Sequence, residues 1–144
     1  MIYGEKGIAL TKSFESCRLQ SYQDSGGVWT VGWGHVGPEV IAGLVWTQEQ
    51  ADEQFLTDTA WANGVVSSSV TEPVNQNQHD ALVDFTFNVG SGNFTGSTLL
   101  RLVNLGRFDD AAQQFGLWVH AGGQVISGLV RRRQAEANLF QEPI

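Results

Sequence analysis

The chain reads as an α+β protein, with a small antiparallel β-hairpin or sheet near its front and a larger helical lobe behind it. Three observations carry that reading. Residues 18–35 are rich in strand formers and glycine, the later residues space their apolar side chains at helical intervals, and one long helical stretch separates the two. With 144 residues, 42% of them hydrophobic and 16% charged, the composition is that of a globular chain that can bury a core without a metal or a disulfide.

The elements follow in order. From Glu5 to Ser16, Ile8, Leu10 and Phe14 recur at mixed three- and four-residue intervals, which predicts a short helix. Between Arg18 and His35, Tyr22, Val28, Trp29, Thr30, Val31 and Trp33 favour strands, and Asp24-Ser25-Gly26-Gly27 is a turn signal. Gly32 and Gly34 weaken a strand interior, so they read either as bulge formers or as bare backbone that a ligand approaches closely. After a loop with Gly37, Pro38 and Gly43, Thr47 opens a helix with Gln50 as its capping-box partner. Ala51, Phe55, Leu56, Trp61 and Val65 are the expected apolar positions of that helix, which joins the two lobes and ends at Ser67-Ser68-Ser69.

The rest is predicted helical. Asn75 to Val89 places Ala81, Leu82, Phe85 and Val89 on one face and stops at Gly90-Ser91-Gly92. Ser97 begins a helix ended by Gly106, another runs from Asp109 to Val119, and Gly122-Gly123 is a turn. A last helix starts at Ser127 or Gly128 and carries Arg131, Arg132 and Arg133 on toward Phe140. No repeat or Pro/Ser linker divides the chain, so residues 1–144 are expected to form a single domain, acting as a monomer.

Charge and composition exclude several classes of function. A net charge of −7 argues against nucleic-acid binding, which depends on counterion release by clustered Lys and Arg. No stretch approaches the ~20 apolar residues of a membrane span. No targeting segment is visible in Met1 to Lys6, so passage across a membrane would need a separate pore or a removed segment. Cys17 is alone and reads as a small buried apolar residue. His35, His79 and His120 lack ligand spacing, so neither a metal nor another cofactor is expected.

Glu15 follows Phe14 at the end of the first helix, where apolar neighbours favour a protonated carboxyl group. Asp24 lies in the hairpin turn, where solvent and backbone donors favour a carboxylate. One carboxyl group in each setting is the division of labour used in glycosidic cleavage. Thr30 lies on the opposite arm, where its hydroxyl is expected to fix a water beside Asp24. By spacing alone, the same residues also read as a helix-end acid, a turn former and a strand former.

The string from Phe14-Glu15 through Tyr22-Gln23-Asp24 to Thr30-Val31-Gly32-Trp33-Gly34-His35 resembles the signature of phage-type lysozymes, glycoside hydrolase family 24. The resemblance continues through Gln76-Asn77-Gln78-His79-Asp80-Ala81-Leu82, Phe87-Asn88-Val89-Gly90, Ser97-Thr98-Leu99-Leu100 and Gly128-Leu129-Val130-Arg131-Arg132-Arg133. It implies a lysozyme-like two-lobe fold and a Glu–Asp–Thr triad on Glu15, Asp24 and Thr30. Glu15 would protonate the leaving oxygen of the β-1,4 bond between N-acetylmuramic acid and N-acetylglucosamine, with inversion at the sugar carbon. Asp24 would activate water or stabilise the cationic centre, and Thr30 would position the water.

The resemblance also implies substrate contacts from Gly32, Gly34, Phe87, Asn88 and Gln124, with Phe87 equally readable as core. His35 is expected to tie the hairpin to the neighbouring lobe. One Arg of the triplet, with Arg132 favoured, would face Glu15, since successive helical residues point about 100° apart. Such a partner favours ionised Glu15 and opposes the apolar neighbours. The implied partner is the glycan strand of bacterial peptidoglycan, met at the cell wall after synthesis in a host cytoplasm. Two rivals stand beside this reading. A lytic transglycosylase is disfavoured by Asp24, and a non-catalytic wall-binding or scaffolding domain is disfavoured by the complete triad.

Overall fold

The computed structural model describes residues 1–144. The chain divides into two compact units, one of Met1–Thr11 with Ala62–Ile144 and one of Lys12–Trp61. Helices α1 (Glu5–Phe14) and α2 (Gln48–Ser69) each run across a boundary between them. The architecture is α+β, as the sequence predicts.

The unit of Lys12–Trp61 holds a three-stranded antiparallel sheet, β1 (Arg18–Gln23), β2 (Trp29–Gly32) and β3 (His35–Val36), in that order. Tyr22 pairs with Thr30 and Arg18 with Gly32, so four steps along β1 match two along β2. The surplus residues form a bulge, and they bond the loop on the other edge of β1 instead. Ser21 donates its N–H to Leu44, Trp46 donates to the Leu19 carbonyl, and the Ser21 hydroxyl donates to Ile41. Val31, Val40, Ala51 and Phe55 form the small core, with Trp33 packed edge-on against Phe55 at 6.1 Å.

Thr47 caps α2 as the sequence predicts. Its hydroxyl accepts from Gln50 N–H at 3.1 Å, and the Gln50 side chain accepts from Thr47 N–H at 2.9 Å. The buried stripe of α2 is Ala51, Phe55, Thr59, Ala62 and Val66; Ala51 and Phe55 are as expected, and the stripe departs from the expected positions after Phe55. Thr59 reaches the buried face because its hydroxyl bonds the Phe55 carbonyl. Leu56 and Trp61 are instead 52% and 45% exposed.

The other unit is helical. Around α3 (Gln76–Val89) lie α4 (Ser91–Thr95), α5 (Thr98–Asn104), α6 (Phe108–Gln114) and α7 (Ser127–Gln141). A reciprocal capping box between Asn75 and Gln78 starts α3, and every residue from His79 to Thr86 is buried. Phe85 sits at its centre, edge-on to Phe94, Phe115 and Trp118. Two small elements carry no clear signal in the sequence. They are α4, within the glycine-rich segment that reads as a stop, and the hairpin of β4 (His120–Ala121) and β5 (Gln124–Val125), around Gly122-Gly123. No helix is long and apolar enough to cross a membrane.

The start of α1 docks on α3 through polar groups rather than an apolar stripe. Buried Asp80 accepts from the N–H groups of Gly4 at 2.9 Å and Gly7 at 3.2 Å, satisfying donors that a helix start leaves open. A Cβ at Gly7 would lie 2.7 Å from that of Asp80, so only glycine permits this approach. One turn further on, the Thr11 hydroxyl donates to Asp84 at 2.6 Å.

Candidate active site

Asp24 organises the β1–β2 loop around its own main chain and side chain. Its N–H donates to the Val28 carbonyl, its carbonyl accepts from Gly27 N–H, and its Oδ1 accepts from the N–H groups of Gly26 at 2.8 Å and Val28 at 2.9 Å. The side chain thus acts as an Asx-type turn former. Asp24 is exposed, and Oδ2 makes no hydrogen bond within the protein. One oxygen is fixed and the other stays open.

Thr30 reaches the same loop from β2. It is 4% exposed, and its hydroxyl donates to the Val28 carbonyl at 3.0 Å. That carbonyl also accepts from Asp24 N–H, so Asp24 and Thr30 share one acceptor. The Thr30 proton is therefore committed, and only the oxygen lone pairs remain to hold a water. The structure brings these two predicted residues together.

Glu15 is half-buried and stands one residue beyond the end of α1. The chain on both sides of it is tied to α2. Lys12 Nζ lies 3.1 Å from Asp52 Oδ1, and Gln48 Nε2 donates to Cys17 Sγ at 3.7 Å. Asp52 Oδ1 also accepts from Trp33 Nε1 at 2.8 Å and Gln48 Nε2 at 3.0 Å. The Trp33 bond, with help from Gln48 and Lys12 and against a burial penalty, holds the Asp52 carboxyl below the usual range. Sequence reasoning missed this node. Its only trace was Gln48 and Asp52 one turn apart, a spacing common on any helix.

Gly32 is buried with φ +65°, and a Cβ there would stand 3.1 Å from the Trp46 ring and 3.3 Å from Ala51, so close packing against these two residues requires glycine at this position. Gly34, at φ +85°, has open space in the Cβ direction. His35 is corrected in part. Nδ1 meets Asp58 on α2 at 2.8 Å, Nε2 meets Glu39 at 2.5 Å, and the ring stacks on Trp46 at 5.5 Å. It ties the sheet to the long helix within its own unit.

The remaining predicted residues lie in the helical unit. Phe87 packs partly against the core. Asn88 Oδ1 accepts from Arg133 Nη2 at 2.8 Å, and Asn88 lines an open pocket of about 480 Å³ with Asn93, Trp118, His120 and Leu129. Gln124 is exposed on β5 and pairs with Ala121. Arg132 is buried, its Nη2 and Nε 2.8 and 3.0 Å from the two Asp84 oxygens. Arg133 is buried against Glu136, and Arg131 is exposed. Burial, reinforced by Asp84, pushes the Glu136 carboxyl well up. No three His, Cys, Asp or Glu side chains converge as a metal cage.

Comparison with known proteins follows the same lines. Residues 12–136 match the family model for phage lysozyme. The endolysin of Acyrthosiphon pisum secondary endosymbiont phage 1 is 39% identical, over 98% of this chain and 99% of that protein. The crystal structure of a point mutant of P22 lysozyme has a TM-score of 0.90 at 39% identity, covering 99% of both chains. The muramidase domain of SpmX from Asticaccaulis excentricus has a TM-score of 0.87 at 39% identity, covering 98% of both.

Proposed function

The chain belongs to the phage lysozyme family, and from that premise we propose that it hydrolyses the β-1,4 bond between N-acetylmuramic acid and N-acetylglucosamine in peptidoglycan during phage-driven lysis. Residues 1–144 act as one muramidase domain and as a monomer. The protein is made in the host cytoplasm and works at the cell wall.

Glu15 donates the proton that the leaving oxygen requires. The observation that best supports the rest is the Asp24 loop, which fixes one carboxylate oxygen on backbone N–H groups and leaves the other open beside Thr30. With its own proton on the Val28 carbonyl, Thr30 receives one hydrogen bond from the attacking water. The second proton of that water points to Asp24 Oδ2, and its lone pair is free to attack the sugar carbon. A water entering opposite the leaving group gives inversion, which needs two carboxyl groups acting on opposite faces. Phe87, Asn88, Gly34 and Gln124 contact the glycan.

Turbidity loss of purified peptidoglycan tests the reading. Glu15→Gln is expected to lose about 10²–10⁴-fold in rate, the usual contribution of a positioned general acid. Asp24→Asn is expected to lose a comparable factor while keeping Tm within about 2 °C, because the amide oxygen still accepts the loop N–H groups. Asp24→Ala should lose activity and also about 1 kcal/mol of stability. Wild type as inactive as Glu15→Gln, with glycan still bound, would assign the chain to scaffolding. An anhydromuramyl end in the digest would make it a lytic transglycosylase.

A further inference from the structure

We propose that Arg18 is a specificity-determining residue that binds a carboxylate substituent of the glycan strand. This rests on the peptidoglycan reading above. The unit of Lys12–Trp61 carries seven acidic side chains against two basic ones, Lys12 and Arg18. Lys12 is neutralised by Asp52. Arg18 has no carboxylate partner, whereas Lys6 pairs with Glu142, Arg107 with Asp110 and Arg132 with Asp84. Arg18 is the one uncompensated cation in the unit that carries Glu15, Asp24 and Thr30.

Its guanidinium is also held in place. The bulge in β1 lets Arg18 reach over the ring of Tyr22, 4.1 Å from its centroid, although four residues of regular strand would separate them by about 13 Å. Tyr22 pairs directly with Thr30, so the stacked pair lies on the sheet face that carries Thr30. Chain connectivity keeps the Arg18 Cα within about 11 Å of that of Glu15. A guanidinium stacked on an aromatic face keeps its in-plane N–H edge free, the geometry that grips a carboxylate with two parallel hydrogen bonds. Peptidoglycan strands carry carboxylates on their stem peptides, while the rest of this unit repels them. A single preoriented cation beside the reacting residues then selects strands by charge and fixes their register.

The test compares soluble peptidoglycan strands whose peptide carboxylates are intact with the same strands after conversion of those carboxylates to amides. Arg18→Gln is expected to raise KM about tenfold on intact strands, with kcat within about twofold. On amidated strands it should match wild type. Arg18→Lys should fall between, keeping the charge without the two-pronged grip, and its normal Tm would show that the site folds. An equal loss on both substrates, no loss on either, or a fall in kcat alone would overturn the assignment. Equilibrium binding of the same strands in the Glu15→Gln background, with and without Arg18→Gln, gives the comparison independently of turnover. Failure of the hydrolase reading and failure of this one are thus told apart.

Discussion

His35 lies between two carboxylates, and its ionisation links one residue to the stability of the sheet. Burial alone would lower its pKa, but Glu39 and Asp58 outweigh that penalty and raise it above the ordinary 6.5. A raised pKa gives stability that is full below about pH 6.5 and lost as pH rises through the folded-state value. Glu39 is shifted the other way, below 4.5, so its share is present above that pH and lost as pH falls through its own lowered value. The Tm difference between wild type and His35→Gln should therefore peak between about pH 4.5 and 6.5 and shrink as pH rises. The charged bond to Asp58 contributes about 2 kcal/mol, or about 5 °C at the peak. A difference that does not vary with pH would refute the linkage. The His35 contact type was legible in the sequence, but its partners were not. Asp58 is 23 residues away, and only the packing of β3 on α2 brings it near. The purpose of Gly32 was hidden for the same reason, since Trp46 and Ala51 fill the space beside it. The closeness of Asp24 and Thr30 was legible because it is local: a turn acid and a strand residue that both donate to the Val28 carbonyl of one hairpin.

At the scale of elements, α1 is fixed at both its start and its end. Asp80 takes its first N–H groups, Asp84 takes Thr11, and Lys12 takes Asp52. Asp84 also neutralises buried Arg132, so the two bonds are not equivalent. Thr11→Ala removes one hydrogen bond and is expected to cost about 1–2 kcal/mol. Asp84→Ala breaks the buried ion pair with Arg132 and is expected to cost about 3–5 kcal/mol, or about 10 °C in Tm. Thermal unfolding of both variants checks the ranking, and equal losses would show that the other groups around Arg132, with Glu136 Oε2 4.0 Å from its Nε, compensate for Asp84. Long elements were legible from apolar spacing and caps, as the Thr47–Gln50 box demonstrates. The docking of α1 was not, because buried acids carry no periodic signal. Asp80 and Asp84 lie on a helix that is buried nearly all round, which forces them to pair. The β4–β5 hairpin escaped because two-residue strands are too short for alternation to show. The α2 stripe was misread because Thr59, a polar residue by type, satisfies its hydroxyl on its own helix and enters the core.

At the scale of the whole molecule, a charge of −7 sets the protein against an anionic wall polymer. Long-range repulsion slows encounter, and salt screens it over a Debye length of about 30 Å at 0.01 M and about 10 Å at 0.1 M. The local attraction at Arg18 acts at contact distance and is screened less over the same range. The two effects therefore separate by distance. The rate of lysis of isolated walls at low substrate should rise several-fold between about 0.01 M and 0.1 M salt, the opposite of a basic wall-lytic protein. Neutralising the wall carboxylates should flatten that rise while leaving the Glu15 dependence intact. A rate that falls steadily from the lowest salt would mean that exposed cations such as Arg101 and Arg131 govern the approach instead of the net charge.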